Sequence, residues 1–343
     1  MRLKTLAWGL VCVLAALGCD DDGSTGPEPP PGETWNIAFS FDRGAQGTDV
    51  GINAFWFTDA RNGWACMQHW IFRYENGSWR VAANFEQLFP SYQISFRALS
   101  APTPNDVWAG GELTSPSGAD LFFYDGTQWL AVDTGFANIV TVNAIHFLGA
   151  RDGWIATSGA NVGEGRVMHF DGNDWTEYLA GTDMRDFSFT SSTNGWAVGT
   201  ENGAEVVYHW DGSRWRRDSL PGSAPTEIRA VDFTSRTDGW VLGTRGGGPL
   251  LYHYDGSSWA RVDNPLVAAG NLDFLSATYG WLTDSPASGG QSWFYDGATF
   301  TPHPWPRDLL GEIEFWANGE NDVWAGTGTS SGAAYILHHT GDR

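Results

Sequence analysis

A tryptophan preceded by Gly or Val recurs at Trp64, Trp108, Trp154, Trp196, Trp240, Trp281 and Trp324, with successive gaps of 44, 46, 42, 44, 41 and 43 residues. Self-similarity at a period of this length means that one small unit is stacked on copies of itself, each burying a face against its neighbour. A second signature follows in the first six repeats: Asn76-Gly77-Ser78-Trp79, Asp125-Gly126-Thr127-Gln128-Trp129, Asp171-Gly172-Asn173-Asp174-Trp175, Asp211-Gly212-Ser213-Arg214-Trp215, Asp255-Gly256-Ser257-Ser258-Trp259 and Asp296-Gly297-Ala298-Thr299-Phe300. Asn-Gly or Asp-Gly between two apolar runs marks a tight hairpin. Each repeat then reads as four short strands, in the fifth Ile228 to Thr234, Gly239 to Gly243, Leu250 to Tyr254 and Ser258 to Val262. Val231 and Phe233 alternate with Ala230 and Asp232 on the first of these, and no helical period of comparable length is present. The pattern predicts an all-β fold, a seven-bladed β-propeller of four-stranded antiparallel blades.

The seventh repeat ends at Arg343 without a fourth strand. Residues Gly32 to Ala38 read like the post-hairpin segment Gly256 to Val262, so they are expected to supply the outer strand of the last blade. Such closure removes the exposed edges an open ring would leave. The two tryptophans of each repeat are read as packing between twisted neighbouring sheets.

Ahead of the repeats the chain begins Met1-Arg2-Leu3-Lys4, continues through an apolar stretch from Leu6 to Leu17, and reaches Ala16-Leu17-Gly18-Cys19. The stretch is too short to span a bilayer permanently and reads as a signal peptide over residues 1–18. Its end resembles the bacterial lipobox, with leucine displaced to Leu17, and implies lipidation of Cys19. Residues 19–33, acidic and proline-rich, cannot bury apolar surface and read as an extended tether to a propeller over 34–343. The expected location is the bacterial cell envelope, lipid-anchored and facing the periplasm or the cell surface. With Cys12 in the leader and Cys19 lipidated, Cys66 is the one thiol of the mature domain, so no internal disulfide forms there.

The formal net charge is −21, and no lysine remains once the leader is removed. Such a field repels nucleic acid and argues against phosphate-rich partners.

The phrases Gly195-Trp196-Ala197-Val198-Gly199 and His209-Trp210-Asp211-Gly212-Ser213-Arg214-Trp215 resemble repeats of the Ycf48/HCF136 group of photosystem II assembly factors and other sialidase-type BNR propellers. The resemblance spans nearly all of the mature chain and implies the propeller fold; the same blade serves assembly factors, glycosidases and other secreted proteins. The hairpins depart from the sialidase Asp-box, since Gly follows Asp directly and Trp comes four after it. The early Arg-Ile-Pro type motif is absent, and Arg61, Arg151 and Arg236 precede Gly-Trp turns, a repeated place that does not converge on one substrate.

Candidate sites fall in two places. Loops between second and third strands and between blades vary in length, as binding loops do. The connection Asn84 to Ile94 carries Phe85, Phe89 and Tyr92, and His303-Pro304-Trp305 adds His303 and Trp305 near the same rim. These residues either bind a protein or carbohydrate or cap the core beneath the loops. Near the axis, aligned inner strands place Trp56, Ser100, His146, Ser188, Asp232, Asp273 and Glu314 at one equivalent position. Three acids in consecutive blades could hold Ca²⁺ or act as acid and base on a glycan, or could simply line a wet channel. His169, His209 and His253 share one slot before the hairpins and read as parts of the repeat. No zinc spacing, phosphate loop or nucleophile elbow is present. The sequence therefore points to a lipid-anchored, non-catalytic binding or assembly scaffold with a protein partner and no cofactor beyond Ca²⁺; the alternative is a glycan-active, sialidase-like hydrolase.

Overall fold

The computed structural model describes residues 35–42, 51–113, 121–285, 291–304, 314–319, 321–328 and 333–340. The expected leader, Cys19, the tether and Trp305 lie outside the described residues.

The described chain is built almost wholly of antiparallel strands. In the fifth repeat these are Glu227–Ser235, Asp238–Arg245, Gly248–Tyr254 and Trp259–Val262, hydrogen-bonded in chain order. The first, fourth and sixth repeats form separate four-stranded sheets of the same order, while the second and third are joined into one eight-stranded sheet where Thr141 pairs with Glu112. The last sheet takes its fourth strand from the other end of the chain: Trp35–Asp42 pairs with Ala333–His339, Trp35 opposite His339. The innermost strand of each repeat touches that of the next, and Glu314–Gly319 touches Ala54–Asp59, which closes a ring.

Packing between sheets follows from the sequence of each turn. Gly239 faces Phe233 across its sheet, and a Cβ at Gly239 would lie 2.3 Å from the ring. Removing that carbon lets Phe233 lie flat against Trp196 of the preceding repeat, with centroids 4.5 Å apart and planes at 6°. Phe274 stacks on Trp240 and Phe147 on Trp108 in the same way. The two repeats with Val before Trp, at Val107 and Val323, carry Ala101 and Ala317 in place of the phenylalanine. The opposite face of each tryptophan is covered by its own sheet: His209 lies 4.3 Å from Trp196, His253 4.3 Å from Trp240 and His338 3.7 Å from Trp324. These histidines are hydrogen-bonded to Asn194, Asp238 and Asp322 at the head of the Gly-Trp or Val-Trp turn, and His169 to Asp152 likewise. Their place is structural, as their recurrence suggested.

The Asp-Gly hairpins are locally self-sufficient. Asp255 Oδ1 accepts from the Ser257 and Ser258 amides and the Ser257 hydroxyl, while Gly256 takes φ +92°, a conformation other residues rarely adopt. The same Gly256 approaches Thr237, so hairpins and Gly-Trp turns occupy one rim. By topology, loops between second and third strands and between repeats occupy the other.

Candidate functional site: the axial cavity

The inner strands enclose a cavity of about 1270 Å³ on the axis. Strand register fixes which side chains point towards the axis. Trp56, Ser100, His146, Ser188, Asp232 and Asp273 each lie opposite the turn tryptophan of their own repeat, as the alignment expected. In the last repeat that place belongs to Trp316, opposite Trp324, and Glu314 pairs instead with Gly326. The equivalence assigned to Glu314 is corrected: Glu314-Phe315 imitates the Asp-Phe pairs of the two preceding repeats, but the turn at Gly319 and Asp322 sets the register two residues later.

This tier joins one repeat to the next. Ser100 Oγ accepts the amide of Phe147, Ser188 Oγ that of Phe233, Asp232 Oδ2 that of Phe274 and Asp273 Oδ2 that of Ala317. In every case the donor is the residue just after the next repeat's own axial residue. Trp56, His146 and Trp316 fill the opposite arc with rings, Trp56 lying 5.1 Å from His146 and 5.3 Å from Trp316.

One pleat nearer the loop-rich rim stand Asp186, Asn271 and Glu314, with alanine at the equivalent Ala54, Ala98, Ala144 and Ala230. Asp186 Oδ2 accepts the Val231 amide, and Glu314 accepts from the Asn271 side chain. The sequence reading missed Asp186 because it compared only the tier of Ser188, two residues on. Asp186, Asp232 and Asp273 are walled in by protein and reach only the cavity, so losing water dominates their titration: Asp186 is pushed up to about 7, Asp232 to about 6, and Asp273 well above the usual carboxylate range. Burial likewise pushes His146 down to about 4, so it is neutral at physiological pH. Among the described residues no group of three or more His, Cys, Asp or Glu side chains is placed to hold a metal ion.

At the mouth, β-bulges turn one residue of the inner strand out of alternation: Arg97, Asn143, Arg185 and Arg229. Asn53, Asn143 and Arg185 donate to the carbonyls of Phe96, Met184 and Ile228 in the following repeats. The arginines are ion-paired, Arg97 with Glu112, Arg185 with Glu205 and Arg229 with Glu227. On the same rim Leu88, Val162 and Val267 are exposed.

Of the expected rim residues, Phe85 is fully buried against Phe96, Phe122 and Trp129, and Phe89 and Tyr92 pack part-buried on the same cluster. His303 is buried against Trp281. These side chains cap the core beneath the loops, and only the edges of Phe89 and Tyr92 reach solvent.

No family model matches the sequence, and no curated protein matches it. Among solved structures, one described as YCF48 bound to D1 peptide superposes with a TM-score of 0.63 over 91% of this chain and 99% of that one, at 17% identity. The fold is a β-propeller like that of Ycf48. YCF48 from Cyanidioschyzon merolae aligns over 89% of this chain and 98% of its own, with a TM-score of 0.59 and 14% identity. A streptogramin B lyase aligns with a TM-score of 0.63 and 13% identity, over 88% and 97% of the two chains.

Proposed function

We propose that this chain is a seven-bladed propeller, lipid-anchored through Cys19 in a bacterial envelope, whose loop-rich rim binds a protein segment across the axial mouth without catalysing a reaction. The carrying observation is the division of labour around the cavity. Its deep side chains are committed to joining repeats, Asp232 and Asp273 by the amides of Phe274 and Ala317, whereas the loop-rich rim carries the bulged arginines at the mouth and the exposed Leu88, Val162 and Val267 on its loops. A variable rim that offers both exposed apolar side chains and arginines suits a protein segment. That the similar YCF48 structure is described as bound to a peptide supports the same choice.

Crosslinking and pull-down from native membranes tests this reading. Val162→Asp with Val267→Asp is expected to abolish capture of a protein that wild type retains; unchanged capture by all rim variants would overturn the docking face. Metabolic labelling with a fatty-acid analogue is expected to mark wild type and not Cys19→Ala.

One observation favours the glycan-hydrolase alternative: carboxyls pushed to about 6 and about 7 line one cavity, as an acid and base would. Turnover of a labelled glycan panel, lost in Asp232→Asn, would transfer the assignment to it.

A further inference from the structure

We propose that Asp186, Asp232 and Asp273 form a proton-sensitive seam along the axis, in which protonation tightens the arc from the fourth repeat to the seventh and deprotonation loosens it. The three carboxylates come from three consecutive inner strands, and each accepts a backbone amide of the repeat that follows: Val231, Phe274 and Ala317 respectively. Their other hydrogen-bond partners are also uncharged, the Phe187 amide for Asp186 and the Ser188 hydroxyl for Asp232. Beside the neutral Ser188–Phe233 link, the contacts that join these repeats at the axis therefore run through acids answered only by neutral donors.

The charged groups around the cluster do not supply the missing cation. Arg185 and Arg229, on the same strands, leave the alternation at bulges and pair with Glu205 and Glu227. Arg97 pairs with Glu112 in the second repeat. Glu314 adds a carboxylate from the last inner strand, Asp183 another from the start of the fourth, and Asp238 a third from the turn beneath Asp232. Asp284 is occupied by the amides of Val267 and Ala268. His146, facing the cavity from the third repeat, is held neutral by burial. Ionising neighbouring carboxylates in such surroundings sets like charges against each other with little solvent between them, so the cluster titrates as a unit and retains protons.

The folded-state values lie above the ordinary 3.8, at about 7 for Asp186 and about 6 for Asp232. A raised folded value means that the folded chain binds more protons than the unfolded one across that interval. The stabilisation is complete below the unfolded value and is lost as pH rises through about 4 to 7.

Urea unfolding of the full chain, without any partner, at pH values from about 5 to 8 tests the seam. The wild-type midpoint is expected to fall with rising pH, and Asp232→Asn and Asp273→Asn, which fix an uncharged side chain, to flatten that fall. Infrared spectra of wild type supply a readout that does not depend on the variants folding: a protonated-carboxyl band should persist at about pH 6 and vanish on the alkaline side. A wild-type midpoint that is flat or rises with pH, or absence of that band at about pH 6, would overturn the proposal.

Discussion

Phe233 touches Gly239 within its own sheet and Trp196 in the preceding one, so a single ring sets both the spacing of a turn and the approach of two sheets. Gly239→Val would drive two methyl groups into that ring. Overpacking of this kind costs on the order of 1–3 kcal/mol. The chain itself contains the compensated form, Val323 opposite Ala317, so adding Phe233→Ala should recover part of the loss, giving a coupling of about 1 kcal/mol or more in a double-mutant cycle by urea unfolding. Additive effects would sink this account. The turn phrases were legible because each recurs in register: Trp follows Gly five times and Val twice, and the hairpins carry Asp-Gly five times and Asn-Gly once. Glu314 was misplaced because its neighbour Phe315 copies the Asp-Phe phrase, and only strand pairing separates the two registers. Cys66, the one thiol expected in the mature domain, is fully buried, and burial pushes its thiol well up. It should resist alkylation in the native protein and react only on unfolding, as mass spectrometry after a thiol pulse would record.

The strand Trp35–Asp42 is the element on which ring closure rests. Its Trp35 packs on Trp281, Phe315 and His339, while Phe39 and Phe41 reach Phe72 and Trp70 of the first repeat. Deleting residues 19–42 exposes the length of Ala333–His339 and uncovers those rings, so the truncated chain should lose its single cooperative transition and bind a hydrophobic dye. Retention of one sharp transition at the wild-type midpoint would mean that the ring closes by other contacts. The sequence disclosed this strand because Gly32 to Ala38 repeats a phrase found after the hairpins, although the pairing runs on to Asp42. The bulges were not legible. Arg97-Ala98, Arg185-Asp186 and Arg229-Ala230 read as ordinary alternation, and nothing but the pairing of the strands shows that the arginines leave it.

At the scale of the ring, the hairpin carboxylates and the axial carboxylates have opposite linkage. Those at the hairpins are exposed and accept several amides: the Thr127 hydroxyl and the amides of Thr127 and Gln128 hold Asp125 down to about 2, and the Ser257 hydroxyl with the amides of Ser257 and Ser258 does the same for Asp255. Asp171 and Asp296 are lowered by the same geometry, and Asp211 by the Ser213 hydroxyl, the Arg216 guanidinium and the turn amides together. A folded value below the unfolded 3.8 means that unfolding takes up protons. The contribution is therefore fully present above about pH 4 and is lost as pH falls towards 2. Because the hairpins repeat around the ring, their losses accumulate in the same narrow interval, and acid should unfold the chain cooperatively there. Asp255→Asn keeps the shape of the turn but removes one titrating site, so the proton uptake on unfolding near pH 3, measured by potentiometry, should drop by a fraction of one proton relative to wild type. An unchanged uptake would show that the Asp255 hairpin contributes through geometry alone. The axial acids act in the other direction, losing stability as pH rises, so a stability maximum is expected in the mildly acidic range between the two intervals.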